Sequence, residues 1–518
     1  MKRFISNFFL LSVLLVGISS CKKDPVVVKA TGISLDQKTA VVRIGTPLKL
    51  TASIAPFDAT DKSVTWTTKD AAIASVATDG TVSGVATGST EITVTTKDGL
   101  FIDKCVVTIF PSAGSTISLS GNITTNVTLK SDINYVLDGW VYVKSGATIT
   151  IEPGTVIKGK VDTKASLVIE RGAKIMAEGT AAKPIVFTSA KPAGSRAAGD
   201  WGGVVLCGNA KINVTGGEAE IEGGLGTKYG GTDDNDNSGS MKYVRIEFAG
   251  YAFQPDKEIN GLTFGGVGRG TTIDYVQVSF ANDDSYEWFG GTVNCKHLIA
   301  FSGLDDEFDT DFGFSGFVQY LVGLRDPMIA DISKSNGFES DNDGSGSTNI
   351  PTTNPRFANV SLFGPLATAT TTINPLFQAS MHIRRKSNLE VYNSVFAGWP
   401  MGLLLADPKG NSGTGAQVKG CILSGMTDNY GGNTAGEKLF FEDAVRINRT
   451  VVLNSDLKVT NPFNLTAPNF LPQTGSPLLT GAATTLPAGL EATDYIGAFK
   501  TTDWTAGWTN WTPKTTVY

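Results

Sequence analysis

A repeat in the middle of the chain constrains its fold more than any other feature. Asp283, Asp284 and Glu287 return 22 residues later as Asp305, Asp306 and Asp309, and Gly291 returns as Gly313. On the same spacing Val276 falls over Leu298 and Val278 over Ala300. A period of this length is one turn of a β-solenoid, in which each coil stacks on its predecessor and none is stable alone. The segments Gly146–Gly159, Ser166–Gly179 and Lys183–Ser189 have the matching texture, short apolar strands broken by glycines. Alternate residues of such strands point inward. The pattern continues through Asp200–Val204 and from Tyr243 to Gly323.

Composition agrees with an all-β chain. Only 18% of the 518 residues are charged and 59 are glycine, which favours turns and short strands over helices. A net charge of −6 argues against a nucleic-acid partner, which selects for a basic face. Cys105, Cys207, Cys295 and Cys421 are far apart and form no CxxC spacing, so they read as small buried apolar side chains.

The N-terminus reads as an export signal. Met1-Lys2-Arg3 precedes the apolar run Phe8–Val16, which is too short to span a membrane. Ile18-Ser19-Ser20-Cys21 resembles the lipobox of bacterial lipoproteins, implying cleavage before Cys21 and lipidation there. Acyl chains of this kind anchor durably, at about 0.8 kcal/mol per buried methylene. Lys22 follows the cysteine, and Cys21-Lys22-Lys23-Asp24 resembles the surface-export signal of Bacteroidetes lipoproteins. The resemblance implies a protein anchored in the outer membrane by its N-terminal lipid and exposed at the cell surface. The expected organisation is a signal peptide (1–20), a tether (21–28), a first module (29–110), a linker (111–118) and a solenoid with a C-terminal cap (119–518).

In the first module, Gly32–Leu35, Leu48–Ala52, Val64–Trp66, Ile73–Val76 and Glu91–Val94 are short strands, with turns at Asp79-Gly80 and Asp98-Gly99. The run from Pro56 through Trp66 to Gly88 resembles the bacterial Ig-like domain of group 2. That implies a β-sandwich with Trp66 in its core and a spacer or adhesion role. The phrase from Gly146 onward resembles right-handed parallel β-helix proteins. Residues 115–518 are identified as a member of a group of poorly characterised bacterial, often Bacteroidetes, β-helix lipoproteins. Trp504, Trp508 and Trp511 are expected to shield the solenoid's open end.

The repeat also stacks acid on acid. Adjacent coils lie about 4.8 Å apart, which brings Asp283 over Asp305, Asp284 over Asp306 and Glu287 over Asp309. Two such charges repel by about 0.9 kcal/mol in water and about 3.5 kcal/mol at an effective dielectric of 20. A cation or a proton must intervene if they are buried. Asp311, Glu339, Asp341 and Asp343 extend the acidic set, with Glu307 among them, and Asp233–Asn237 forms a second oxygen-rich loop. Hard oxygen donors suit calcium, so the expected metal ligands are Asp283, Asp284, Glu287, Asp305, Asp306, Asp309, Asp311, Glu339, Asp341 and Asp343. Two other readings stay open: a stack of solvated turns, since Asp is a favoured turn residue, and a catalytic carboxylate pair.

Only His297 and His382 exist, which disfavours histidine metal clusters and Ser-His-Asp schemes. Arg384-Arg385-Lys386 supplies cations for a calcium-dependent lyase, or is a solvated charged face. The motifs of polygalacturonases are absent, and the parallel β-helix hosts many functions. Tyr286, Trp288, Phe308 and Phe312 are candidates to stack on sugar rings or, alternatively, inward core residues. The expectation is a surface lipoprotein presenting a calcium-supported face to a polysaccharide or a surface protein. The competing class is a polysaccharide lyase or glycoside hydrolase acting at the same acids.

Overall fold

A computed structural model describes residues 26–254, 257–405, 415–432 and 434–518. The chain divides into two compact units, the first ending at Ala113 and the second running Gly114–Tyr518. Cys21 and the export signal lie outside the described residues.

The first unit is a β-sandwich. A four-stranded sheet runs in the order Thr39–Arg43, Ile102–Phe110, Gly88–Thr96, Val64–Thr68. A second, three-stranded sheet is built from Leu48–Lys49, Thr81–Gly84 and Ala74–Val76. Strict alternation from Thr90 to Thr96 puts Ile92 and Val94 inward, against Val42, Leu50, Val82 and Val107. Trp66 packs half-buried on this core, over Gly80. Gly80 has φ +87°, and a Cβ there would approach the indole ring to 2.7 Å, so the Asp79-Gly80 turn and the tryptophan require each other.

The second unit is a parallel β-helix in which 26 of the described strands form one continuous ladder. Its first strand, Thr116–Ile123, begins inside the segment expected to be linker. The strands fall into three lanes. One contains Leu262–Gly265, Tyr286–Phe289, Phe308–Asp311, Phe338–Ser340 and Ala379–Ile383 in consecutive coils. The other two are the halves of longer strands such as Thr272–Ser279, Asn294–Phe301, Phe317–Leu324 and Arg356–Phe363. Val276 pairs with Leu298 and Val278 with Ala300, the register that the repeat gives. Each long strand bends between its halves at a residue in the left-handed region: Tyr243, Tyr275, His297, Tyr320 and Asn359, with φ from +50° to +66°. Ring stacking holds four of these corners in register, with centroids 4.5 Å apart for Tyr243–Tyr275, 4.2 Å for Tyr275–His297 and 5.0 Å for His297–Tyr320. Asp274 bonds His297 Nδ1 at 2.7 Å, so this histidine serves the scaffold.

The core is a stack of like on like. Phe264 lies over Trp288 and Tyr286 over Phe308. Tyr286, Trp288 and Phe308 are therefore fully buried, not sugar platforms, and Phe312 is half-buried. The physical reason is strand alternation: Glu287 faces outward, so its neighbours face in. All four cysteines of the described residues are buried and free.

The terminal tryptophans do not cap the solenoid. Helix Thr434–Phe441 buries Phe441 against the core, while Trp504 and Trp508 lie along the flank, edge-on to Tyr275. Side-chain amides hold this tail by its backbone. Gln277 gives and takes one bond each with Asn510, both 2.9 Å, and Gln319 does the same with Glu491, both 2.8 Å. Tyr518 reaches the buried Glu247 at 2.5 Å.

Candidate functional site

The acids gather where the chain turns into the first lane. By strand register Asn260, Asp284, Asp306 and Asn336 occupy one position in four successive coils. From Asp284 onward each side chain caps the next coil. The Asp306 N–H donates to Asp284 Oδ1 at 2.9 Å, the Asn336 N–H donates to Asp306 Oδ1, and the Ala379 N–H donates to Asn336 Oδ1 at 3.2 Å. Asn336 performs this task with a neutral amide. The scaffold thus needs an acceptor at Asp284 and Asp306, but no negative charge.

A second column faces outward from the first lane: Thr263, Glu287, Asp309, Glu339 and His382. Between the columns, carboxylate oxygens of Asp283, Asp284 and Asp305 lie within 4.8 Å of one another, and so do those of Asp284, Glu287 and Asp309. Asp284 belongs to both triads. Asp284, Glu287 and Asp306 are buried, while Asp283, Asp305, Asp309 and Asp311 are half-buried. These acids are not a stack of solvated turns.

Burial raises every carboxyl in this group, and neighbouring charges add to it. Asp306 is pushed up to about 7 by desolvation and then by Asp309, and Asp309 to about 8 by desolvation and then by Asp341. Asp283, Asp284, Glu287, Asp305 and Asp311 are raised well above the usual range, burial again being the largest cause. One buried oxygen each of Asp305 and Asp309 has no hydrogen-bond partner. Such atoms are costly unless something neutralises them.

Other expected ligands have found different partners. Arg384 pairs with Glu339 and, at 2.9 Å, with Asp341, while Arg385 meets Asp341 at 2.6 Å. The basic run is thus a clamp on the edge of the acid group, not a solvated face. Asp343 accepts the Ser345 and Ser347 N–H groups at 2.9 and 3.1 Å. Burial alone would raise its carboxyl, but bonds from the Ser345 and Ser347 hydroxyls, together with these N–H groups, outweigh that and leave it lowered. Glu307 is held by Arg325 at 3.1 Å with neither side chain exposed. Arg325 also donates to the carbonyls of Leu304 and Asp305 at 3.1 and 2.6 Å, fixing the turn that presents Asp305 and Asp306. Asp233–Asn237 is fastened to its own surroundings, through Lys211 to Asp234 and Asn209 to Asp236, both 2.9 Å.

The structure adds one acid that the repeat does not contain. Residues 208–238 fold over the outside of the first lane, with Ile212, Ile221, Leu225 and Tyr229 packed on Val168 and Val205. Glu222 from this segment approaches the Asn260 amide at 3.3 Å, and the same amide serves Glu287. Burial pushes Glu222 up to about 7. The result is an oxygen-only donor set that fits a hard cation such as calcium, which takes six to eight oxygens. Asp283, Asp284, Glu287, Asp305 and Asp309 are the residues that would hold it.

Known proteins match both units. The family model described as a pectate-lyase-like β-helix domain matches residues 121–509. The bacterial Ig-like domain of group 2 matches residues 29–107. An Ig-like virion protein of Serratia phage KSP90 is 41% identical over 95 residues, which is 18% of this chain and 37% of the phage protein. An uncharacterised protein of Clostridium acetobutylicum is 38% identical over 81 residues, 15% of this chain and 20% of its own length. The chain thus spans well under half the length of either curated relative.

Proposed function

Because this chain belongs to the pectate-lyase-like β-helix family, we propose that it is a surface-anchored binding protein whose paired acid columns hold calcium and present a face to glycan or a partner protein. One observation carries the reading. Asp284 and Asp306 place buried carboxyls, costly to ionise, at positions where Asn336 does the same structural work without one. A cation is what turns that costly charge into a stable site. The lipid on Cys21 would anchor the protein in the outer membrane, with the Ig-like module following it in sequence. Rigid, pre-formed acids on a solenoid suit ligand capture, since little ordering is needed on binding.

A second reading is favoured by Arg384, which lies beside the acids and is itself hydrogen-bonded to two of them. A cation next to metal-bound carboxylates also suits a calcium-dependent polysaccharide lyase, and carboxylates about 5 to 10 Å apart suit a glycoside hydrolase. The test is a glycan screen on the full chain, in calcium and in chelator, reading both binding and new reducing or unsaturated ends. Calcium-dependent capture without cleavage, lost in Asp284→Asn, supports the binding reading. Cleavage lost in the same variant supports the enzyme. Capture that is equal in chelator and in Asp284→Asn would sink both.

A further inference from the structure

A separate pocket of about 210 Å³ opens where Ser302 meets the C-terminal tail. Its aromatic lining is Phe280, Phe301 and Trp511, with Leu465 and Pro513 beside them. Phe301 meets Phe280 at 70° and Trp511 at 83°, so the rings form an angled corner and not a flat plate. The tail that carries Trp511 is fixed on both sides, by Gln277 on Asn510 and by Arg196 on the Pro513 carbonyl at 3.0 Å. The pocket is therefore pre-formed.

Ser302, Asp326 and Lys514 line the same space, with Thr466, Thr512 and Thr515 around them. Ser302 is 1% exposed and its hydroxyl has no partner. Asp326 uses one oxygen for the Met328 N–H at 2.9 Å, and its other oxygen has no partner among the described residues. The Lys514 ammonium sits 4.4 Å from the centre of the Phe280 ring and has no carboxylate partner among the described residues. A buried hydroxyl without a partner is uncommon and costly, which points to a ligand that bonds it.

The mixture selects the ligand. A purely apolar molecule would leave these polar groups unmatched, an anion would meet Asp326, and a cation would meet Lys514. A ring with C–H faces and hydroxyl edges matches the aromatic corner, the donor and the acceptors together. We propose that this pocket binds a single neutral pyranose, as the terminal unit of a glycan. The site stands apart from the acid columns and needs no metal.

The test titrates the full chain, in chelator, with the methyl glycosides of glucose, galactose, mannose and N-acetylglucosamine, by calorimetry and by tryptophan fluorescence. At least one should saturate in the millimolar range and perturb the fluorescence, a change lost in Trp511→Phe. Asp326→Ala and Lys514→Ala alter groups at the pocket rim and should each weaken binding about tenfold, the loss of one charged hydrogen bond. Asp284→Asn should bind as the wild type does, which separates this site from the calcium reading. If none of the four saturates, or if binding is unchanged in Asp326→Ala and Lys514→Ala, the proposal is overturned.

Discussion

Replacing Asp309 by Asn should stabilise the metal-free protein at neutral pH and remove most of its response to calcium. Burial, with Asp341 alongside, holds the Asp309 carboxyl at about 8 in place of 3.8, so the folded state prefers it protonated. Below the unfolded value of about 3.9 both states carry the proton and the group is neutral to stability. As pH rises the unfolded chain ionises and the folded chain cannot, so stability falls by about 1.4 kcal/mol per pH unit until the folded carboxyl ionises near 8. At pH 7 the loss is at most about 4 kcal/mol. The repulsion of one stacked pair, about 3.5 kcal/mol at an effective dielectric of 20, has the same size by a separate route. Over a unit of roughly 400 residues, with an unfolding entropy of about 2 cal/mol/K per residue, this moves Tm by about 5 °C. The assay is thermal unfolding of the full chain by circular dichroism, at about pH 5 and about pH 8, in chelator and in calcium. The wild type in chelator should melt lower at the higher pH, calcium should restore it there, and Asp309→Asn should respond less to both, the other raised carboxyls keeping the remainder. An Asn variant that melts below wild type in chelator at about pH 8 would refute the reasoning, because the carboxylate would then be stabilising the empty fold.

Three further outcomes follow from the same structure. Arg325→Ala strands a fully buried Glu307 and should cost about 3 to 5 kcal/mol in urea unfolding, whereas replacing both partners by apolar residues should recover much of that. Gln277→Ala removes both bonds to Asn510 and should speed hydrogen exchange in residues 505–518 while leaving the coils protected. Cys21→Ser should abolish incorporation of labelled palmitate and move the protein from the membrane fraction to the soluble one.

The repeat carried the register because parallel coils impose it: Glu287 over Asp309 and Val276 over Leu298 are strand pairs in the structure. The burial of Tyr286 and Trp288 was also legible, since residues on either side of an outward Glu287 must face in. What the repeat could not reveal came from outside it. Glu222 enters from residues 208–238, whose sequence has no period, and only the fold brings it to Asn260. Arg384 and Arg385 look like an exposed basic run in sequence, and pairing with Glu339 and Asp341 is a long-range contact. The place of the tail tryptophans is hidden in the sequence for a similar reason. Helix Thr434–Phe441 buries Phe441 in the main core, while Trp508 meets the corner tyrosines of coils far earlier in the chain.

The measurement that bears most directly on the central claim is equilibrium dialysis of the full chain against radiolabelled calcium, with Asp284→Asn in parallel. Asp284 is the residue common to both oxygen triads, and Asn keeps an oxygen to accept the Asp306 N–H. The account predicts saturable calcium binding by the wild type and its loss in a variant that remains folded. A wild type that takes up no calcium, or an Asp284→Asn protein that takes up as much, would contradict it.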